Sequence, residues 1–205
     1  MSDPVIRRLM TLPGVDMAVA SGVAAAIGDV RRFGDPTKLV GYLGLNPSTH
    51  QSGEGPAYHG RITKQGRGQA RGMLVEAAWA AGRSPGPLRA FFQRVAAKRG
   101  KPIAAVATAR KLAMIIWHML TKGEDYIWVR PALLARKVRS IELKAGLPKE
   151  HARRGAAYDY NIPARRAAER VHVEKAEEAY ADFTARWRTK ASTRSRSRKK
   201  MPAPA

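Results

Sequence analysis

The stretch from Gly44 to Gly68, GLNPSTHQSGEGPAYHGRITKQGRG, gathers reactive and charged side chains at high density. It holds hydroxyls at Ser48 and Ser52, imidazoles at His50 and His59, a carboxylate at Glu54, and cations at Arg61, Lys64 and Arg67, with Arg71 just beyond. Three chemistries can be weighed against these residues. A phosphate-cradling loop needs Gly-x-x-x-x-Gly-Lys-Ser/Thr; Gly60 to Gly66 is spaced wrongly and is followed by Arg67 and Gly68, so that motif is excluded. A metal site would draw on His50, His59 and Glu54, but polar-loop histidines more often face solvent or a phosphate, and no metal is expected here. The third chemistry is nucleophilic. Ser52, followed by Gly53, sits on a pliable turn that a phosphodiester could approach, with Arg61, Lys64, Arg67 and Arg71 nearby to balance developing negative charge. The plainer alternative is a hydroxyl that closes a hydrogen bond on its own turn.

Composition limits the partners. The chain has 205 residues, 38 Lys and Arg against 16 Asp and Glu, and a formal net charge of +22. Such an excess implies a polyanionic partner. Residues from Arg186 to Lys200 hold eight of these cations and no acid, which predicts a disordered basic arm, yet the body remains strongly basic without it. There is no cysteine, so disulfide frameworks and thiolate zinc sites are excluded. The apolar runs PIAAVATA and LAMIIWHML are split by Arg110 and Lys111 and fall short of the roughly 20 residues needed to cross a bilayer. The N-terminal MSDPVIRRLM has no signal-peptide core, and a cytoplasmic, nucleoid-associated protein is expected.

The elements that must position the loop are helical. Pro13-Gly14-Val15 joins a short apolar helix to an alanine-rich one starting near Asp16, a helix-hairpin-helix pattern at about residues 5–30. In that motif the glycine turn lets backbone N–H groups meet a phosphate, which makes Pro13, Gly14 and Val15 candidate DNA contacts; the other reading is a turn joining two packed helices. Asp35 and Pro36 predict a helix start carrying Leu39, Tyr42 and Leu43, halted by Pro47. A helix resumes from Gln69 with Met73, Leu74, Ala77, Ala78 and Ala81 on one face, and another carries Leu88, Phe91, Phe92 and Val95. The most apolar helix has a stripe of Ala105, Ala109, Leu112, Ile116 and Met119 and is expected at the centre.

No apolar alternation of any length is present, so the expected class is mainly α. It comprises a compact helical domain over residues 1–128, a long Gly-rich loop at 45–66, a basic helical extension over 129–185 and a disordered tail over 186–205. Connections of more than about 12 to 15 structureless residues are uncommon inside compact domains, so a loop from Leu45 to Gly66 calls for a functional reason.

The segments LMTLPGVD, VGYLGLNPSTHQSGEGPAYHGRITKQGRGQARGMLVEAAWAA and AVATARKLAMIIWHMLTKGEDY, taken in order, resemble the C-terminal domain of insertion-sequence transposases that include the Piv-type DNA invertases. These are bridge-RNA-guided recombinases with an N-terminal RuvC-like nuclease domain. The resemblance runs from about Val5 to Tyr126. It implies a serine that forms a covalent phosphoserine link with DNA, matched here by Ser52, with Ser48 in reserve because it shares the loop. It also implies Mg²⁺ held by the acidic tetrad of a RuvC-like domain, a guide RNA, and an oligomer assembled on DNA.

No such tetrad can be built from Asp3, Asp16, Asp29 and Asp35, and the chain starts almost directly on the hairpin motif. It is therefore expected to bind DNA without exchanging strands unless a RuvC-like partner acts in trans. A non-enzymatic basic protein that binds DNA or RNA is the alternative.

Overall fold

The computed structural model describes residues 3–50, 58–149 and 163–198. Eight α-helices are present among them: α1 (Pro4–Leu9), α2 (Met17–Ile27), α3 (Pro36–Tyr42), α4 (Gly68–Ala81), α5 (Pro87–Arg99), α6 (Lys101–Lys122), α7 (Pro131–Lys144) and α8 (Pro163–Arg198). Two strands, β1 (Pro47–His50) and β2 (Tyr58–Ile62), lie between α3 and α4.

Local chemistry fixes the first helix starts. Asp3, Asp16 and Asp35 are N-caps whose carboxylates accept from backbone N–H groups one to three positions into α1, α2 and α3. Pro4 and Pro36 occupy the first turn, where a missing N–H costs nothing. A single residue, Gly100, closes α5 and opens α6, so these two helices form a tight antiparallel pair.

Helix α6 is the central post. Ala105, Ala109, Leu112, Ile116 and Met119 are all buried, joined by Ala104, Thr108 and Ala113, and α3, α4 and α5 pack around them. By length and composition α6 could cross a bilayer, contrary to the reading of its apolar runs as too short. Its stripe is instead covered by neighbouring helices, while Lys111 stays exposed, which makes it the core helix of a folded domain. Each fully buried Leu or Ile contributes roughly 1.5–3 kcal/mol relative to exposure.

The segment expected to be structureless between Leu45 and Gly66 contains an antiparallel hairpin. Pro47 pairs with Ile62, Thr49 with His59 and His50 with Tyr58; the register slips between Pro47 and Thr49, where β2 carries one extra residue. A two-stranded ribbon can leave both faces largely open, and among its described side chains Ile62 alone packs against the apolar core. That is why no alternation marked the strands.

The C-terminal part also departs from expectation. Helix α8, which begins in the expected basic helical extension, buries Val173, Ala176 and Thr184 against its neighbours. Glu177 accepts from Gly86 N at 2.9 Å and pairs with Arg89 at 2.9 Å, and Glu169 accepts from Ala132 N at 2.7 Å. Acids thus satisfy the orphan N–H groups at the starts of α5 and α7. Helix α8 continues through Arg198, so the basic segment expected to be disordered from Arg186 is helical as far as that residue.

The α1–α2 turn depends on Gly14. Its φ is +81°, and a Cβ there would run into the carbonyl of Ala77 on α4. A left-handed non-glycine residue costs about 1–3 kcal/mol, and overpacking a similar amount again. Gly14→Ala should therefore lower the unfolding free energy by at least about 2 kcal/mol in a urea titration.

Candidate nucleic-acid interface

The segment after β2 wraps the C-terminal end of α3. The last carbonyls of a helix lack intrahelical partners, and here incoming backbone supplies them. Leu45 N donates to Val40 O at 3.0 Å, Gly44 N to Gly41 O at 2.9 Å and Arg67 N to Tyr42 O at 3.1 Å. Gly66, with φ +103°, lies so close to the Tyr42 carbonyl that no side chain fits. Thr63 N donates to Asn46 O at 2.9 Å and Lys64 N to Gly44 O at 3.2 Å, which closes the base of the hairpin.

Two arginines secure this wrap. Arg71, half-buried on α4, donates through Nη1 to the carbonyls of Leu43 at 3.2 Å and Lys64 at 3.0 Å. Cations at a helix C-terminus are favoured by the macrodipole, so Arg71 acts first as a structural clamp. It holds Lys64 in a left-handed conformation, φ 58°, unusual for a side chain of that size. Arg67 donates through Nε to the Tyr42 hydroxyl at 2.6 Å.

Arg61, Lys64 and Arg67 are exposed, Arg71 is half-buried, and among the described residues no ion pair joins any of the four to a carboxylate. The nearest acids in sequence before α3 are engaged: Asp29 with Arg31 at 2.9 Å, and Asp35 with the first turn of α3 and with Lys38 at 3.9 Å. Among the described residues the hairpin base therefore presents positive charge with no carboxylate partner.

Of the serines, Ser48 lies on β1, half-buried, with its hydroxyl over Gly60 in the space a Cβ there would fill. Ser52 lies outside the described residues, as does Glu54. His50 and His59 stand at adjacent register positions on the two strands. Among the described residues no cluster of three His, Cys, Asp or Glu side chains could hold a metal ion.

The expected DNA contacts at Pro13, Gly14 and Val15 sit elsewhere. Val15 is buried, Pro13 and Gly14 are half-buried, and the turn packs on α4. Its carbonyls face α7, where the Lys137 ammonium donates to Met10 O at 2.7 Å and to Leu12 O and Val15 O at 2.8 Å each. The start of α2 is already occupied by the Asp16 carboxylate, which accepts from Val19 N at 2.9 Å. These contacts give the turn a packing role. Lys137 had no signal in the sequence, because a cation on a basic amphipathic helix looks like solvated surface. Tyr42 and Arg32 were missed for a related reason: they meet only once the chain has folded back on α3.

With this geometry in place, similarity to known proteins can be set beside it. Residues 6–93 match the family described as Transposase IS116/IS110/IS902 family. This part of the chain is similar to that transposase family. The match spans α1 to α5, including the hairpin and its cationic base. The transposase for insertion sequence element IS1111A of Coxiella burnetii is 33% identical over 124 residues, covering 58% of this chain and 34% of that protein. A probable family 20 transposase of Pseudomonas aeruginosa is 33% identical over 129 residues, covering 60% of this chain and 38% of its own length. Putative transposase y4qE of Sinorhizobium fredii is 44% identical over 75 residues, covering 37% and 19% respectively. The chain thus spans about a third of the length of the first two relatives. The matched stretch ends within α5, although α6 supplies much of the core on which it rests.

Burial pushes the Lys137 ammonium down to about 8, with Asp16 attracting the charge in the opposite sense. In the unfolded chain a lysine titrates near 10.4. Between about pH 8 and pH 10 the unfolded state then binds more protons than the folded one, so stability rises with pH across that window. Above it, the buried Tyr126 phenol, whose ionisation is suppressed by desolvation, opposes further gain. Subtracting the unfolding free energies of Lys137→Met from wild type, pH by pH, should give a difference that grows from pH 8 to pH 10.

Proposed function

We propose that this chain is the DNA-engaging, serine-contributing part of a transposase that acts by site-specific recombination. The observation that carries this reading is the row of exposed, unneutralised cations Arg61, Lys64 and Arg67. It follows directly on the segment that bears Ser52, inside the region matching the transposase family. Phosphate neutralisation supplies sequence-independent affinity and fixes a scissile strand in register. The clamp of Arg71 on two carbonyls sets where those cations stand.

In the proposed reaction the Ser52 Oγ attacks a backbone phosphorus. An Oγ–P bond forms, the ester bond to the neighbouring nucleotide breaks, the serine proton passes to a base, and the departing sugar oxygen takes up a proton. Ser48, with its hydroxyl over Gly60 near the strand slip, is the reserve nucleophile. The described residues do not fit a Mg²⁺ site, since they offer no carboxylate cluster, and no step is routed through such an ion. In this reading the acidic ligands belong to a RuvC-like domain acting with this one. A guide RNA, oligomer formation on DNA and a cytoplasmic, nucleoid-bound location belong to the same proposal. The second reading, a non-enzymatic nucleic-acid binder, is favoured by the net charge of +22 alone.

The two readings separate in one assay. With a RuvC-like partner, Mg²⁺ and duplex DNA, wild type should give a covalent protein–DNA adduct that Ser52→Ala abolishes while leaving DNA affinity within about twofold. An adduct lost only in Ser48→Ala would move the nucleophile to β1. An adduct that survives both substitutions would refute the serine assignment, and binding without any adduct would favour the non-enzymatic reading.

A further inference from the structure

At the edge of the cationic base, Tyr42, Arg32, Phe33 and Arg67 meet in one cluster. Tyr42 closes α3, and its ring packs against Phe33 with centroids 5.3 Å apart. The Arg32 guanidinium lies 4.5 Å from the Tyr42 ring centroid and 4.6 Å from that of Phe33. Arg67 approaches from the segment after β2 and donates through Nε to the phenol oxygen at 2.6 Å. Arg32 and Arg67 are both exposed, and among the described residues neither is paired with a carboxylate.

The hydrogen-bonding balance at the phenol is incomplete. A tyrosine hydroxyl has one proton to donate and lone pairs to accept with. Arg67 takes up accepting capacity, and among the described residues no acceptor receives the Tyr42 proton. The hydrogen bond from Arg67, followed by the influence of Arg32, also holds the phenol below its ordinary titration range, which makes its O–H a stronger donor. Two guanidiniums plus a sharpened O–H donor present positive charge and donors only. That suits an oxyanion bearing several acceptor oxygens. A nucleobase fits less well, because Phe33 and Arg32 already occupy the ring's surroundings and leave no stacking platform.

We propose that Tyr42, Arg32 and Arg67 form a binding site for one backbone phosphate of duplex DNA, in which Tyr42 donates its hydroxyl proton to a non-bridging oxygen and the two guanidiniums neutralise the charge. The site lies beside the row of Arg61, Lys64 and Arg67 and would extend the strand path from β2 onto the end of α3. This inference rests on the reading that the chain engages DNA.

The test is fluorescence anisotropy of a labelled duplex with the full chain across a salt series. Tyr42→Phe keeps the ring and its packing and removes the hydroxyl, which is both the proposed donor and the acceptor of the exposed Arg67 hydrogen bond. It should weaken binding about tenfold at a fixed salt concentration, the scale of a hydrogen bond to a charged group, with an unchanged unfolding midpoint. Arg32→Gln, on the exposed face, should reduce the slope of log affinity against log salt by about 0.9, one phosphate's worth of released counterion. The double variant should lose less than the product of the two single losses, because both act on one ligand. Wild-type binding that both single variants match, in affinity and in slope, would overturn the site while leaving the DNA-engaging function standing. No salt-dependent binding by wild type would overturn both. Should Tyr42→Phe fold poorly, the slope of Arg32→Gln decides alone.

Discussion

Burial of α6 is the constraint on which the other features depend. A 22-residue helix this apolar must be covered over its whole length, and α3, α4 and α5 provide the cover. Once α3 and α4 are held against the same post, the chain between them is obliged to leave and return over a short distance. The hairpin of β1 and β2 is that excursion. Its base is drawn in by hydrogen bonds to the spent carbonyls of α3 and by the Arg71 clamp. The cations that could meet a phosphate are therefore mounted on a rigid core, an arrangement common to functional sites.

The positive residues divide by what they already do. Lys137 and Arg71 spend their donors on backbone carbonyls, and Arg89 spends its own on Glu177. Arg61, Lys64 and Arg67 hold no carboxylate partner among the described residues, and their charge stays open to solvent. A net charge of +22 says nothing about this division, which comes only from the partners each side chain finds. The α1–α2 turn illustrates the point: its glycine is required by contact with α4, and its carbonyls by contact with Lys137.

Legibility followed the range of the interaction. Asp16, Asp35 and Pro36 announced helix starts because capping is local, and the α6 stripe of Ala105, Ala109, Leu112, Ile116 and Met119 was readable because its period is built into the helix. The strands were hidden, since among their described side chains Ile62 alone packs against the apolar core. The docking of α8 was hidden too, because Glu169 and Glu177 find their partners only when α7 and α5 supply bare N–H groups. The family resemblance and the family match fall on the same region, with residues 6–93 lying inside the stretch from Val5 to Tyr126. The meeting of Arg32 and Arg67 at Tyr42 spans 35 positions and is visible only in three dimensions.

The central claim is that the base of the hairpin, at the end of α3, is the face that meets DNA. Hydrogen exchange of the full chain with and without a duplex tests it most directly. The account predicts added protection in residues 58–68 and around the end of α3, with α6 equally protected in both states. Protection confined to the basic end of α8, with the hairpin base unchanged, would contradict it.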